Sequence, residues 1–313
     1  MKGLFELLFF CLLAFSCSGN SALKTAGQKT VEVKKEFKTV EVPVMYTTPE
    51  ARAEFVAMHY WDNFNFKDTS YVSLPEITEQ AWSDYLQVLS IVPRNVSSEA
   101  MRRLIGQAAA DSIMLAYFEK LSDKYLYDPN SPVRNEDLYI SVLESLLALP
   151  IAPVEKSTFN YRLSLAKKNK VGAEATDFTY TLQNGKQGRL YSIAADYTLL
   201  FINNPGCGAC AETIKALKTS PVIGNLLDNK RLAILSFYPD EDLEEWNKHL
   251  SDMSPLWING YDKKLVIRDN DLYDLRAIPT LYLLNREKTV LLKDASFDKI
   301  EKYLKRKTHS GNN

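Results

Sequence analysis

The stretch Thr198-Leu-Leu-Phe-Ile-Asn-Asn-Pro-Gly-Cys207-Gly-Ala-Cys210-Ala-Glu-Thr-Ile-Lys-Ala-Leu217 constrains this chain more than any other. The run from Thr198 to Ile202 is short and apolar enough for a buried strand. Asn203, Asn204, Pro205 and Gly206 then break it as a turn does. From Cys207 onward the pattern is helical, with Cys210, Ile214 and Leu217 near one face. A buried strand therefore runs through a tight turn into a helix whose first turn carries two cysteines.

That placement has chemical consequences. The first turn of a helix has unpaired backbone N–H groups and the positive end of the helix dipole. Both favour a thiolate over a thiol, and the thiolate is the form that attacks disulfides. Cys207, nearer the helix end and expected to be exposed, is the candidate nucleophile. Cys210, one turn inward, can resolve a mixed disulfide by closing the small Cys207–Cys210 ring. Other uses of the pair fit less well. A structural zinc site needs four ligands, and the remaining cysteines are Cys11 and Cys17, while His59, His249 and His309 are scattered. A fixed disulfide closing so short a loop stabilises little. Two inert core thiols remain an alternative. Redox exchange needs no metal and no cofactor, and none is expected.

A chain of 313 residues is too long for one ordinary core, so two domains are expected. Its 46% apolar and 25% charged content, with a formal net charge of −1, describes a folded chain without a nucleic-acid or acidic-tail signature. The first residues read as targeting. Leu7 to Phe15 is apolar, too short to span a bilayer and suited to a signal-peptide core. Ala14 and Ser16 suit cleavage immediately before Cys17. This ending resembles the lipobox of bacterial lipoproteins, in which the new N-terminal cysteine carries the lipid. Carried over, residues 1–16 are the signal peptide and Cys17 is the lipid attachment residue. Phe15, where a small residue is usual, and Glu6 depart from that pattern, and a plain secretory signal is the alternative. Either route puts the mature chain outside the cytoplasm, with Cys207 and Cys210 as its redox-capable pair.

Residues 17–48 read as a polar, lipid-anchored linker, with an alternating Val/charged part that suits a short strand or an extended tether. Residues 49–170 read as all-helical. Helices are expected from Pro49, from Pro75, over Glu136–Leu149 and over Val154–Lys168. A long third helix, capped at Ser97-Ser98-Glu99, carries the apolar stripe from Met101 to Leu121. Its Asn95-Val-Ser97 is formally a glycosylation acceptor, but helix capping explains it. Phe55, Tyr60, Trp61, Phe64, Phe66 and Tyr71 read as core, with a partner-binding groove as the alternative, and His59 as an ordinary helical histidine. From Val171 strands alternate with helices in the order β-β-β-α-β-α-β-β-α. That order implies a mixed sheet with two parallel strands, a crossover and an edge hairpin.

Asp271-Leu-Tyr-Asp-Leu-Arg-Ala-Ile278-Pro279-Thr280-Leu-Tyr-Leu-Leu284 completes the pattern. Strand, Cys-x-x-Cys and helix, followed much later by Ile-Pro-Thr leading into a strand, closely resemble the thioredoxin superfamily. The resemblance spans residues 171–313 and implies an α/β thioredoxin-like domain preceded by an all-α domain. It implies a cis peptide bond at Ile278-Pro279, lying against Cys207, with the neighbouring backbone pairing to substrate. Together with the signal sequence it resembles the membrane-tethered periplasmic branch. That branch implies a periplasm-facing lipoprotein of the cell envelope that exchanges disulfides with envelope proteins, acting as a reductase and drawing on a membrane electron donor. The helical half resembles a domain of unknown function found in Bacteroidetes lipoproteins. Two departures bear on rate: Pro205-Gly206 stands where many members have Trp, and Phe201 stands where thioredoxin has a buried Asp. Glu212 is expected to point outward and not to replace that acid.

Two rival functions stay open at this stage. One is a non-catalytic binding module on a thioredoxin scaffold. The other is a thiol peroxidase, for which Thr213 and Lys215 make a poor peroxide pocket.

Overall fold

Apolar residues recur at helical spacing between Pro49 and Lys167, and the computed structural model, which describes residues 35–310, folds them into six α-helices. These are α1 (Pro49–His59), α2 (Pro75–Ser90), α3 (Arg94–Ala108), α4 (Ser112–Ser122), α5 (Glu136–Leu147) and α6 (Pro153–Lys167). Pro at the first helical position starts α1, α2 and α6, where its missing N–H costs nothing. Tyr60, Trp61, Phe64 and Phe66 are buried with Trp82, Tyr85 and Phe118 in one aromatic-rich core. Tyr60, Trp61, Phe64 and Phe66 are interior packing with Tyr71 against them, whereas Phe55 is half-buried and lines a surface cleft with Tyr46, Met58 and His59. His59 bonds Asp62 at 2.7 Å and stacks on Phe55. Phe37, in the segment read as linker, packs on Tyr60 with ring centroids 5.0 Å apart, and residues 35–48 form no strand. The signal-like segment, Cys11 and Cys17 lie outside the described residues.

The stripe from Met101 to Leu121 is carried by two helices, not one. α3 begins directly after Pro93, and Ser97 sits buried inside it, its hydroxyl donating to the Arg94 carbonyl at 3.1 Å. Ser97 therefore does not cap the helix start. Asp111 divides the stripe: its carboxylate accepts the N–H groups of Ile113 and Met114 at 2.8 and 3.1 Å, capping α4. An Asp side chain competes with the helix for those N–H groups and so restarts the helix in a new direction.

Among the described residues, seven strands make one sheet: β1 (Thr179–Leu182), β2 (Gln187–Arg189), β3 (Tyr197–Ile202), β4 (Leu232–Tyr238), β5 (Ile258–Tyr261), β6 (Thr280–Asn285) and β7 (Val290–Leu292). Their order is β2-β1-β5-β4-β3-β6-β7. β3, β4 and β5 are parallel, while β6 is antiparallel to β3 and carries the β6–β7 hairpin. β5 is an addition to the strand order expected from sequence, and it docks the β1–β2 hairpin on that side. After Arg189 the chain leaves β2 through a short 3₁₀ segment, Leu190–Ser192.

Alternation along β3 divides the core in two. Leu199 and Phe201 face α7 (Gly208–Thr219), α8 (Pro221–Asp228) and α11 (Phe297–Ser310), with Leu217, Ile223, Leu226 and Ile300. Leu200 and Ile202 face the opposite layer of Phe178, Tyr180, Leu190 and Tyr273. Burial on both faces is what a run of four apolar residues requires, each side chain contributing on the order of 1.5–3 kcal/mol. The short helices α9 (Leu243–Lys248) and α10 (Val266–Asp269) occupy the connections before β5 and β6. No helix among the described residues is long and apolar enough to cross a membrane.

The division at Asp111 yields a stability test. Asp111→Ala should cost about 1 kcal/mol in urea denaturation, whereas Ser98→Ala should stay within about 0.5 kcal/mol. The reverse ranking would place the helix start at Ser98.

Candidate active site

The sheet brings two distant loops together. Ile202, the last residue of β3, pairs with Thr280, the first of β6. The turn leaving β3 toward α7 and the segment arriving at β6 therefore meet at one edge of the same pair of strands. Cys207 and Cys210 lie on the first, Ile278 and Pro279 on the second. The Ile278-Pro279 peptide is cis.

Gly206 shapes the turn, with φ of +71°, a left-handed conformation that Gly adopts without penalty. Cys207 is then the N-cap of α7. Its sulfur accepts the N–H of Cys210 at 3.2 Å, the bond that a Ser or Asp oxygen makes at other helix starts. The same thiol donates to the Ile278 carbonyl oxygen at 3.5 Å. Cys207 is half-buried, and Cys210 is 2% exposed beneath it. Burial pushes the Cys210 thiol up to about 12; its hydrogen bond to Cys207 adds to the rise and the Asn204 backbone N–H opposes it. The outer sulfur is thus reachable, and the inner one is held protonated within reach of it.

The floor of the site is apolar and amide-lined. Phe201 is fully buried beneath α7, and Glu212 is exposed. Asn203, which the sequence offers only as a turn former, is buried, and its side-chain amide donates to the Phe201 carbonyl at 3.0 Å and to Ser236 Oγ at 2.9 Å. The Asn204 amide donates to Asp240 at 3.0 Å. These bonds tie the turn to the end of β4. A polar residue ending an apolar strand is the signal that could have pointed to them.

A cleft of about 530 Å³ opens beside Cys207, lined by Pro205, Ile214, Lys215, His249 and Met253. His249 is not a free base in it. Its Nδ1 meets Asp252 at 2.7 Å and its Nε2 meets Glu245 at 3.1 Å. The Asp252 bond, helped by Glu245, raises its pKa above the usual histidine value. Among the described residues no group of His, Cys, Asp and Glu is arranged to hold a metal ion.

Comparison with known proteins agrees with this architecture. Residues 16–169 match a family described as a domain of unknown function, DUF5106. No curated protein matches the chain. The crystal structure of a thioredoxin-like protein from Bacteroides caccae is 55% identical, covers 87% of this chain and 99% of its own, and superposes with a TM-score of 0.84. The C-terminal domain of an uncharacterized protein from Bacteroides fragilis is 60% identical over 44% of this chain and 98% of its own, with a TM-score of 0.43. A domain of a possible thiol-disulfide isomerase from Cytophaga hutchinsonii is 26% identical over 47% of this chain and 98% of its own, with a TM-score of 0.40. With a relative that is similar across both halves and the Cys-x-x-Cys turn facing Ile278-Pro279, this chain belongs to the thioredoxin superfamily, with an N-terminal domain of unknown function.

Proposed function

We propose that this protein is a thiol–disulfide oxidoreductase of the cell envelope, working as a reductase on disulfide-bearing envelope proteins. One observation carries the reading: the half-exposed Cys207 sulfur lies between the Cys210 N–H and the Ile278 carbonyl, with a second, protonated thiol directly beneath it. The Cys207 thiolate attacks one sulfur of a substrate disulfide. The substrate S–S bond breaks, the other substrate sulfur leaves as a thiolate and takes up a proton, and a mixed disulfide remains on Cys207. Cys210 then loses its proton and attacks the Cys207 sulfur, releasing the second substrate thiol and closing the Cys207–Cys210 disulfide. Two electrons have passed to the substrate, and a membrane thiol donor returns them. The reductase direction rests on analogy with tethered relatives. Lipid attachment at Cys17 would hold the body at a membrane facing the periplasm.

The two cysteines have separable roles. Cys207→Ser should lower reduction of a disulfide-bonded protein by at least about 100-fold. Cys210→Ser should instead accumulate a mixed disulfide visible on a non-reducing gel. Equal activity of Cys207→Ser and wild type contradicts the reading.

The resolving step has a pH signature. Burial, the largest cause of the raised Cys210 pKa, persists in the mixed disulfide, so its thiolate stays scarce near neutrality and grows about tenfold per pH unit. Release of the second substrate thiol from a preformed mixed disulfide should therefore accelerate about tenfold per unit between roughly pH 6 and 9. A flat stopped-flow profile would mean that some other group takes the proton.

A further inference from the structure

Arg276 stands two residues before Ile278, whose carbonyl receives the Cys207 thiol. Residues 271–279 belong to no helix or strand, so their position depends on side-chain partners. Much of that support comes from the helical half. Asp274, almost fully buried, accepts the Arg276 Nε at 2.7 and 2.9 Å and its backbone N–H at 3.1 Å. The oriented guanidinium then donates through Nη1 to the Tyr127 carbonyl at 3.0 Å and lies 3.6 Å from the centre of the Tyr127 ring.

Tyr127 is itself held from several sides. It ends the single π-helical turn Asp123–Tyr127, an irregularity often found at functional places. Its ring stacks on Tyr139 of α5 with centroids 4.6 Å apart. Arg162 of α6 lies 5.1 Å from the same ring, bonds Asp123 at 2.9 and 3.0 Å, and donates to the Tyr139 hydroxyl at 3.1 Å. Three further bonds hold the start of the segment: Lys168 Nζ to the Asp271 carbonyl at 2.6 Å, Asn169 to the Leu272 carbonyl at 2.8 Å, and the Tyr161 hydroxyl to Asp271 at 3.1 Å.

We propose that the helical half positions the Ile278–Pro279 loop for exchange with polypeptide disulfides, through the contact of Arg276 with Tyr127. This rests on the thiol–disulfide reading above. Tyr127 and Arg276 are positioning residues: neither touches the sulfurs, and both act through the backbone that faces Cys207. A polypeptide must dock along that backbone to bring its disulfide to Cys207, whereas a small disulfide needs only the sulfur. Loosening the contact therefore raises KM for the first and leaves the second alone.

The test compares full-chain wild type, Tyr127→Leu, Tyr127→Phe and Arg276→Lys on a disulfide-cyclised peptide and on bis(2-hydroxyethyl) disulfide. Tyr127→Leu removes the ring face and Arg276→Lys removes the planar fork. Each should raise KM for the peptide about tenfold with kcat within about twofold, and change the rate with the small disulfide by less than about twofold. Tyr127→Phe keeps the ring and should behave as wild type. Hydrogen exchange of residues 274–280 should quicken in the first two variants while β3 stays protected. Unchanged exchange, unchanged KM, or an equal fall with both disulfides overturns the proposal. If Tyr127→Leu does not fold, Arg276→Lys, which leaves the helical half intact, decides alone. A wild type that turns over neither disulfide defeats the exchange reading instead, and the hydrogen-exchange comparison still decides whether the contact holds the loop.

Discussion

The bond from the Cys210 N–H to the Cys207 sulfur is the interaction around which the rest of the site is arranged. It requires a cysteine at the N-cap of α7, and hence a strand that ends, turns and enters a helix within a few residues. Buried β3 supplies the rigid base, because Leu199 to Ile202 are packed from both faces. The pairing of Ile202 with Thr280 then fixes which other loop the sulfur meets. The proposed exchange chemistry rests on this geometry: one sulfur is reachable from outside, and its partner is covered by protein and kept protonated by burial.

Beneath the pair the surroundings are apolar and neutral. Phe201 occupies the strand position beneath the cysteines, and the polar groups behind the turn, Asn203 and Ser236, are neutral. Neither is a base at ordinary pH. An apolar floor also leaves Cys210 with one backbone donor, the Asn204 N–H, to offset its desolvation. The helical half enters at the opposite side of the site, through the segment that leads into β6. Ion pairs also join it to the end of the β6–β7 hairpin. Arg134 pairs with Asp294, and Lys293 with Glu136 at 2.8 Å.

Much of this was legible in the residues. The two cysteines sit at a strand-to-helix junction that period and punctuation alone reveal, and Ile278-Pro279 opens the short apolar run Leu281–Leu284. β5 was not legible, because Trp257-Ile-Asn-Gly-Tyr261 contains no apolar run and its Gly260 resembles a turn. That glycine is there for packing: an added Cβ would meet the Tyr180 ring at 3.0 Å. The division of the long third helix is hidden in the residues, because its stripe keeps period across Ala109 and Ala110, and Asp111 reads equally well as a surface residue. The contact of Arg276 with Tyr127 joins residues 149 positions apart, and no local pattern in either segment announces it. Long-range polar contacts of this kind are settled by the packing of whole elements, so they become visible only in three dimensions.

The most direct test of the central claim is a redox titration of the protein in glutathione buffers, with the state of Cys207 and Cys210 read by mass after thiol alkylation. The account predicts one reversible two-electron transition between dithiol and intramolecular disulfide, at a potential between roughly −300 and −120 mV. Half-oxidation of such a couple would place the protein on the scale of known thiol–disulfide exchangers. A pair that stays reduced, or stays oxidised, across every buffer would contradict it.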